Sequence, residues 1–277
     1  MVTQSKTDRN KNHDETLTAA RLFLYHARMK HISIGEARAI AREAGAQAEP
    51  PSFYRENESS VSLSRTIYNT DETIGWYRDY LARQIDDFGH GLFHSELVAL
   101  DAGAVVAVEM GVSGVGTKDA IVIVQTAGLL HDIRRKEPNH AEKSAEEAGR
   151  ILERYGADKE CGALIVTAIR NHEAFREEIP IANRTARLIS NALYDADKFR
   201  WGPDNFVVTL WDMLEFARVD VERMLTGYQE SIEGIKRIKG TFRTETGQRY
   251  GPEFIDIGLS VGEVIYQRLM ERRESDT

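Results

Sequence analysis

The pair His131-Asp132 closes the apolar run Thr126-Ala-Gly-Leu-Leu130, and Arg134, Arg135 and Lys136 follow it at once. Two polar side chains at the end of a stretch bound for the interior are costly unless something replaces their lost water. A cation does so for both. Imidazole nitrogen and carboxylate oxygen together suit first-row divalent ions such as Mn, Fe, Co, Ni or Zn, with Mg a further candidate for the oxygen ligand. A lone His-Asp dipeptide also has a plainer explanation, a helix end facing solvent.

Three more segments stand in order around the pair: His90-Gly-Leu-Phe-His94-Ser-Glu-Leu-Val, Ile169-Arg-Asn-His172, and Tyr194-Asp-Ala-Asp-Lys-Phe199. Together with His131-Asp132 they resemble the HD-domain superfamily of metal-dependent phosphohydrolases. Its signature is a His, then a His-Asp pair, then a distant Asp. The likeness runs from about Asp87 to Asn205, somewhat under half of the chain. It implies metal ligands His94, His131, Asp132 and Asp197, drawn from three helices of a bundle. His90 shares a helix face with His94 if the helix is continuous, so either could be the first ligand. His94 is favoured, because Gly89 and Gly91 suggest a turn around His90. Asp195 competes with Asp197; the Ala-Asp-Lys match favours Asp197 and leaves Asp195 to orient a ligand. His140 and His172 are candidates for a second ion, as in binuclear members; the alternatives are an exposed loop for His140 and a hydrogen bond to substrate or water for His172, and a mononuclear site is expected.

The activity implied is hydrolysis of a phosphate mono- or diester of a small molecule, such as a nucleotide. Asp132 would be both ligand and proton acceptor, and His172 would act at the same site. Arg134, Arg135 and Lys198 would bind substrate, although a solvated helix end is the better account of at least two of Arg134, Arg135 and Lys136, and a salt bridge is an equal account of Lys198. Two other outcomes are compatible with the same scaffold, a di-iron oxygenase and a non-catalytic metal- or nucleotide-binding sensor.

The whole-chain numbers bound these readings. A formal charge of -8 over 277 residues argues against general nucleic-acid binding and leaves a phosphate dependent on a metal or a local basic cluster. A single cysteine, Cys161, excludes an intrachain disulfide and is expected to be a packed core thiol. The polar N-terminus lacks the apolar stretch of a secretory signal, and residues 102–108 and 120–130 are too short to span a bilayer. A cytoplasmic protein without a membrane partner is expected.

The elements that must position the site read as helices throughout, so the expected fold is all-α: an HD-like bundle (87–205) with an N-terminal helical extension (1–86) and C-terminal helices (206–277) completing it. Leu17–Lys30 places Leu22, Tyr25 and Met29 on one face. Ser33–Ala44 has a capping box from Ser33 and Glu36 with Gly45 as its stop. Glu49–Ser64, with Pro50 and Pro51, reads as a loop. Further helices are expected over Thr73–Gly111 with a break near Gly89 or Gly91, Lys118–Asp132, Ala141–Tyr155, Lys159–Asn171, Ile181–Lys198, Asn205–Lys239 and Pro252–Arg273. Thr241–Tyr250 reads as a polar loop. Gly111-Val-Ser-Gly-Val-Gly-Thr-Lys118 looks like a phosphate loop, but Thr117 and Lys118 stand in reversed order and no strand precedes them; a plain connector is expected. Tyr194, Phe199, Trp201 and Phe206 are expected to pack between helices rather than stack on a base.

Overall fold

Every regular element in the computed structural model, which describes residues 31–84 and 91–274, is helical. The expected helix over Leu17–Lys30, together with His90 and Gly89, lies outside the described residues. The elements are α1 (Ile34–Gly45), α2 (Ser52–Glu56), α3 (Glu58–Thr70), α4 (Glu72–Ala82), α5 (Leu92–Met110) and α6 (Thr117–Leu130). They continue with α7 (His140–Tyr155), α8 (Lys159–Arg170), α9 (Arg184–Phe199), α10 (Leu210–Ala217), α11 (Val221–Ile238) and α12 (Glu245–Glu274). One apolar core runs from Ile32 to Leu269, so the flanking helices and the central ones share an interior. No helix among the described residues is long and apolar enough to cross a membrane.

The centre of the bundle is the pair α5–α6. Both helices are apolar on nearly every face, with Val98, Ala99, Ala102, Val105, Ile121, Val124 and Ala127 wholly buried. Small residues let the two backbones approach closely. At Gly128 an added Cβ would lie 2.7 Å from the Ala99 Cα, a contact with backbone that cannot be relieved by a rotamer. Replacing Gly128 by Ala is therefore expected to cost about 1–3 kcal/mol through forced separation of the helices. Thermal unfolding reads it as a lowered midpoint; an unchanged midpoint would show that the helices have room to spare.

Elsewhere the chain departs from the expectations in instructive ways. The presumed loop Glu49–Ser64 is helical over most of its length, as α2 and the first half of α3. Pro51 precedes the first turn of α2, where a missing N–H costs nothing. Ser60 and Ser64 of α3 face inward: Gln125 Nε2 donates to both the carbonyl and the hydroxyl of Ser64 at 2.9 Å, and the Ser64 hydroxyl donates to the Leu100 carbonyl at 2.6 Å. The long helix expected over Asn205–Lys239 is three pieces: a π-helical turn at Asn205–Thr209, then α10, then α11. Arg218, with φ of 54°, ends α10 in the left-handed region, and the Asp220 side chain caps α11 by accepting from the Arg223 N–H. The last helix starts at Glu245 and carries Pro252 inside it, so the loop expected over Thr241–Tyr250 is half helix. The Gly111–Lys118 stretch is a connector, with Gly111 and Gly116 at positive φ and the Thr117 hydroxyl donating to the Gly111 carbonyl.

Candidate metal centre

His94 sits in the first turn of α5, His131 and Asp132 follow the end of α6, His172 follows α8, and Asp197 lies in the last turn of α9. All five are buried. Two of the rings are aimed by backbone. His131 Nδ1 lies 2.7 Å from the Gly128 carbonyl and His172 Nδ1 lies 2.6 Å from the Ile169 carbonyl. A carbonyl can only accept, so each Nδ1 carries a hydrogen and each ring turns its Nε2 inward.

The inward atoms converge. His94 Nε2 is 3.3 Å from His131 Nε2 and 3.4 Å from Asp197 Oδ1. His131 Nε2 is 3.6 Å from Asp197 Oδ1 and also 3.6 Å from Asp132 Oδ2. His172 Nε2 is 3.4 Å from Asp132 Oδ1, yet it makes no hydrogen bond among the described residues. Among the described residues, two groups could hold an ion: His94, His131 and Asp197; and His131, Asp132 and His172. They share one atom, His131 Nε2, because Nδ1 is committed to Gly128. Two simultaneous ions would thus leave the second with Asp132 and His172 and a need for another ligand. His140 is the nearby ring, its Nε2 being 3.7 Å from Asp132 Oδ1. That Nε2 is occupied, however, since Arg135 Nη1 donates to it at 2.7 Å.

The charges around the cluster are consistent with a cation-binding pocket. Burial works against the charge of Asp197, but the Lys198 ammonium, bonded to Oδ2, together with His131 and His94 holds its carboxyl well below the usual carboxylate range. Burial also opposes a charged His131, yet Asp132 and Asp197 raise its pKa overall. His140 is pushed down to about 4, first by burial, with the Arg135 guanidinium adding to the effect.

The remaining sequence candidates separate clearly. Arg135 reaches the cluster, with Nε 3.8 Å from Asp132 Oδ2. Arg134 turns away to Glu137 and Glu147, and Lys136 lies over the Phe216 ring. Lys198 is buried as the ion-pair partner of Asp197 rather than extended toward an open surface. Asp195 faces away from the ligands and accepts from the backbone N–H groups of Arg243 and Thr244 and from the Thr244 hydroxyl, which anchors the approach to α12. Its expected orienting role is absent from these contacts. Cys161 is only half-buried, in the first turn of α8, and not the core thiol expected. Phe199 stacks on Phe254 at 4.1 Å and Tyr194 is buried beneath the Arg243 guanidinium, which are packing uses.

One feature next to the ligands gave no local sequence signal. Arg200, three residues after Asp197, pairs inside the protein with Asp101 on α5, and Tyr54 on α2 donates to the same carboxylate at 3.0 Å. The pair fastens α5 to the end of α9 and so registers His94 against Asp197. No family model, curated protein or solved structure matches this chain.

Proposed function

We propose that the protein is a metal-dependent phosphohydrolase of the HD-domain type, acting on a phosphate ester of a small molecule. The spacing of the inward atoms carries the reading. Ligands about 2.1 Å from an ion are roughly 3.0 Å apart around an octahedral centre and roughly 3.4 Å apart around a tetrahedral one. The separations of 3.3, 3.4 and 3.6 Å among His94 Nε2, His131 Nε2 and Asp197 Oδ1 fit such a shell. The buried Nε2 of His172, without a hydrogen bond among the described residues, fits a ligand or a contact to a reacting group.

In this reading His94, His131 and Asp197 hold a divalent ion, with Asp132 completing the set. When bound, the ion supplies a water of lowered pKa and a positive charge for the phosphate oxygens. Asp132 presents a carboxylate between His131, His172 and Arg135, where it can accept a proton at Oδ1 or Oδ2. Lys198 keeps Asp197 ionised, and Arg135 offers guanidinium hydrogens to the non-reacting phosphate oxygens. Replacing Arg135 by Ala should raise KM about tenfold or more, as expected for loss of a charge-assisted hydrogen bond made in ground and transition states alike. Metal content should be unchanged. A fall in kcat with KM intact would reassign Arg135 to the chemical step.

The test is a screen of phosphorylated metabolites with Mn, Ni, Co, Mg and Fe supplied separately, run beside Asp132→Ala. Hydrolysis that depends on the ion and is lost in the variant is the expected result; a variant keeping both metal and activity sinks the assignment. The second group, His131, Asp132 and His172, gives a di-iron oxygenase its one supporting observation. Two irons per chain with oxygen-dependent turnover would replace the hydrolase reading.

A further inference from the structure

Beside the centre lies a cavity of about 580 Å³, and His94 forms part of its wall. An occupant therefore rests directly against the first imidazole of the candidate metal site. Two aromatic rings line it, Phe93 at 60% exposed and Phe216 at 50% exposed, where large aromatic residues are ordinarily far more buried. Lys136 Nζ lies 4.6 Å from the centre of the Phe216 ring, so that face already accommodates a cation.

The polar part of the wall has a definite sign. Arg38 is held by Asp212 and Glu215, at 2.6 Å from each. Arg200 is shared between Asp204 and the buried Asp101. Among the described residues, four carboxylates, Asp204, Asp212 and Glu215 on the wall and Asp101 behind it, thus meet three cations, Arg38, Arg200 and the Lys136 that stands over Phe216. The excess is negative. A second phosphate or a carboxylate entering here would meet like charge, whereas a donor or a cation would find acceptors.

We propose that this cavity binds the organic part of the substrate, and that the substrate is a phosphate ester of an aromatic or apolar amine, with a single phosphate and a protonated amino group. The ammonium lies among Asp204, Asp212 and Glu215, and the apolar body packs on Phe93 and Phe216. Nucleoside polyphosphates and phosphorylated carboxylic acids are rejected. The phosphate end of this assignment rests on the phosphohydrolase reading; the amine end rests on the cavity alone.

The two parts are tested separately. Binding without turnover is measured by calorimetric titration of the full chain with tyramine and with 3-(4-hydroxyphenyl)propionate, a pair of similar shape and opposite charge. Tyramine is expected to bind about tenfold more tightly or better, a gap of about 1.4 kcal/mol. Substituting Asp212→Asn together with Glu215→Gln should close most of that gap, and Phe93→Ala should weaken tyramine in either background. Equal affinity for the two compounds, or no tyramine binding at millimolar concentration, overturns the proposal. Turnover is then compared for the phosphate monoesters of the same two phenols with Mn supplied, where kcat/KM should favour the amine by about tenfold. Tyramine selectivity with neither ester hydrolysed keeps the subsite and removes the phosphohydrolase reading. Hydrolysis of both esters at equal kcat/KM removes the subsite and keeps the hydrolase.

Discussion

His131→Ala is expected to lose the bound divalent ion and to lower phosphate-ester hydrolysis by about a thousandfold or more, the loss of several kcal/mol of charge stabilisation. His131 Nε2 is the atom common to both possible ligand groups, so its removal disables either arrangement of ions. The ring is wholly buried and is held in place by its own Nδ1–H bond to Gly128, so its loss removes a fixed ligand. Metal analysis after dialysis and the thermal midpoint check the loss of the ion, and initial rates on a phosphate monoester with Mn supplied check the loss of turnover. Mn should raise the midpoint of the natural protein through binding to the folded state alone and leave that of the variant unmoved. A variant that still gains stability from Mn would place the ion elsewhere.

The second large effect is structural. Arg200→Ala leaves Asp101 buried between α5 and α9 without its counter-charge, and is expected to cost about 3 kcal/mol. For a chain of this size that is a fall of roughly 5 °C in the unfolding midpoint. Burial already raises the pKa of Asp101, against the pull of Arg200 and Tyr54, so protonation in the variant keeps the cost from growing further. Replacing both Arg200 and Asp101 by Leu should recover much of the stability, since no charge is then stranded. Metal affinity should stay below that of the natural protein in the single variant, because the pair sets the register of His94 against Asp197. A single variant with an unchanged midpoint would show that the pair is neither dry nor needed.

How much of this could be read from the chain varies with how local each cause is. The capping box at Ser33 and Glu36 and the left-handed stop at Gly156 are local, and both stand in the structure as the residues imply. The run Ile121-Val-Ile-Val124 is β-like in composition, yet it continues through Gln125–Leu130, too long for one strand, and it lies in helix α6. The first half of α3 was hidden because its inward residues are Ser60 and Ser64; hydrogen bonds from Gln125 and to Leu100, remote in sequence, make the polarity of Ser64 acceptable. The break after Ala217 was hidden because an arginine, rather than a glycine, takes the left-handed conformation there. The start of α12 depends on Asp195, 48 residues from Arg243, and no window of sequence contains both ends of that contact.

The centre shows the same division. His94, His131, Asp132, His172 and Asp197 are residue types in a recognisable order, and the structure brings them to one place. Which arginine reaches them was not legible, because one residue of rotation sends Arg134 to Glu147 and Arg135 to His140. The Asp101–Arg200 pair spans 99 residues and neither member belongs to a motif. The cavity at Phe93 and Phe216 joins α5 to α10, and it exists only once both helices are placed.

The most direct measurement is anomalous diffraction from crystals of the protein equilibrated with Mn. The expected result is a peak about 2.0–2.3 Å from His94 Nε2, His131 Nε2 and an Asp197 oxygen, with Asp132 at the same ion or facing a second one. A peak confined to surface carboxylates, or none at saturating Mn, would contradict a metal centre at His131-Asp132.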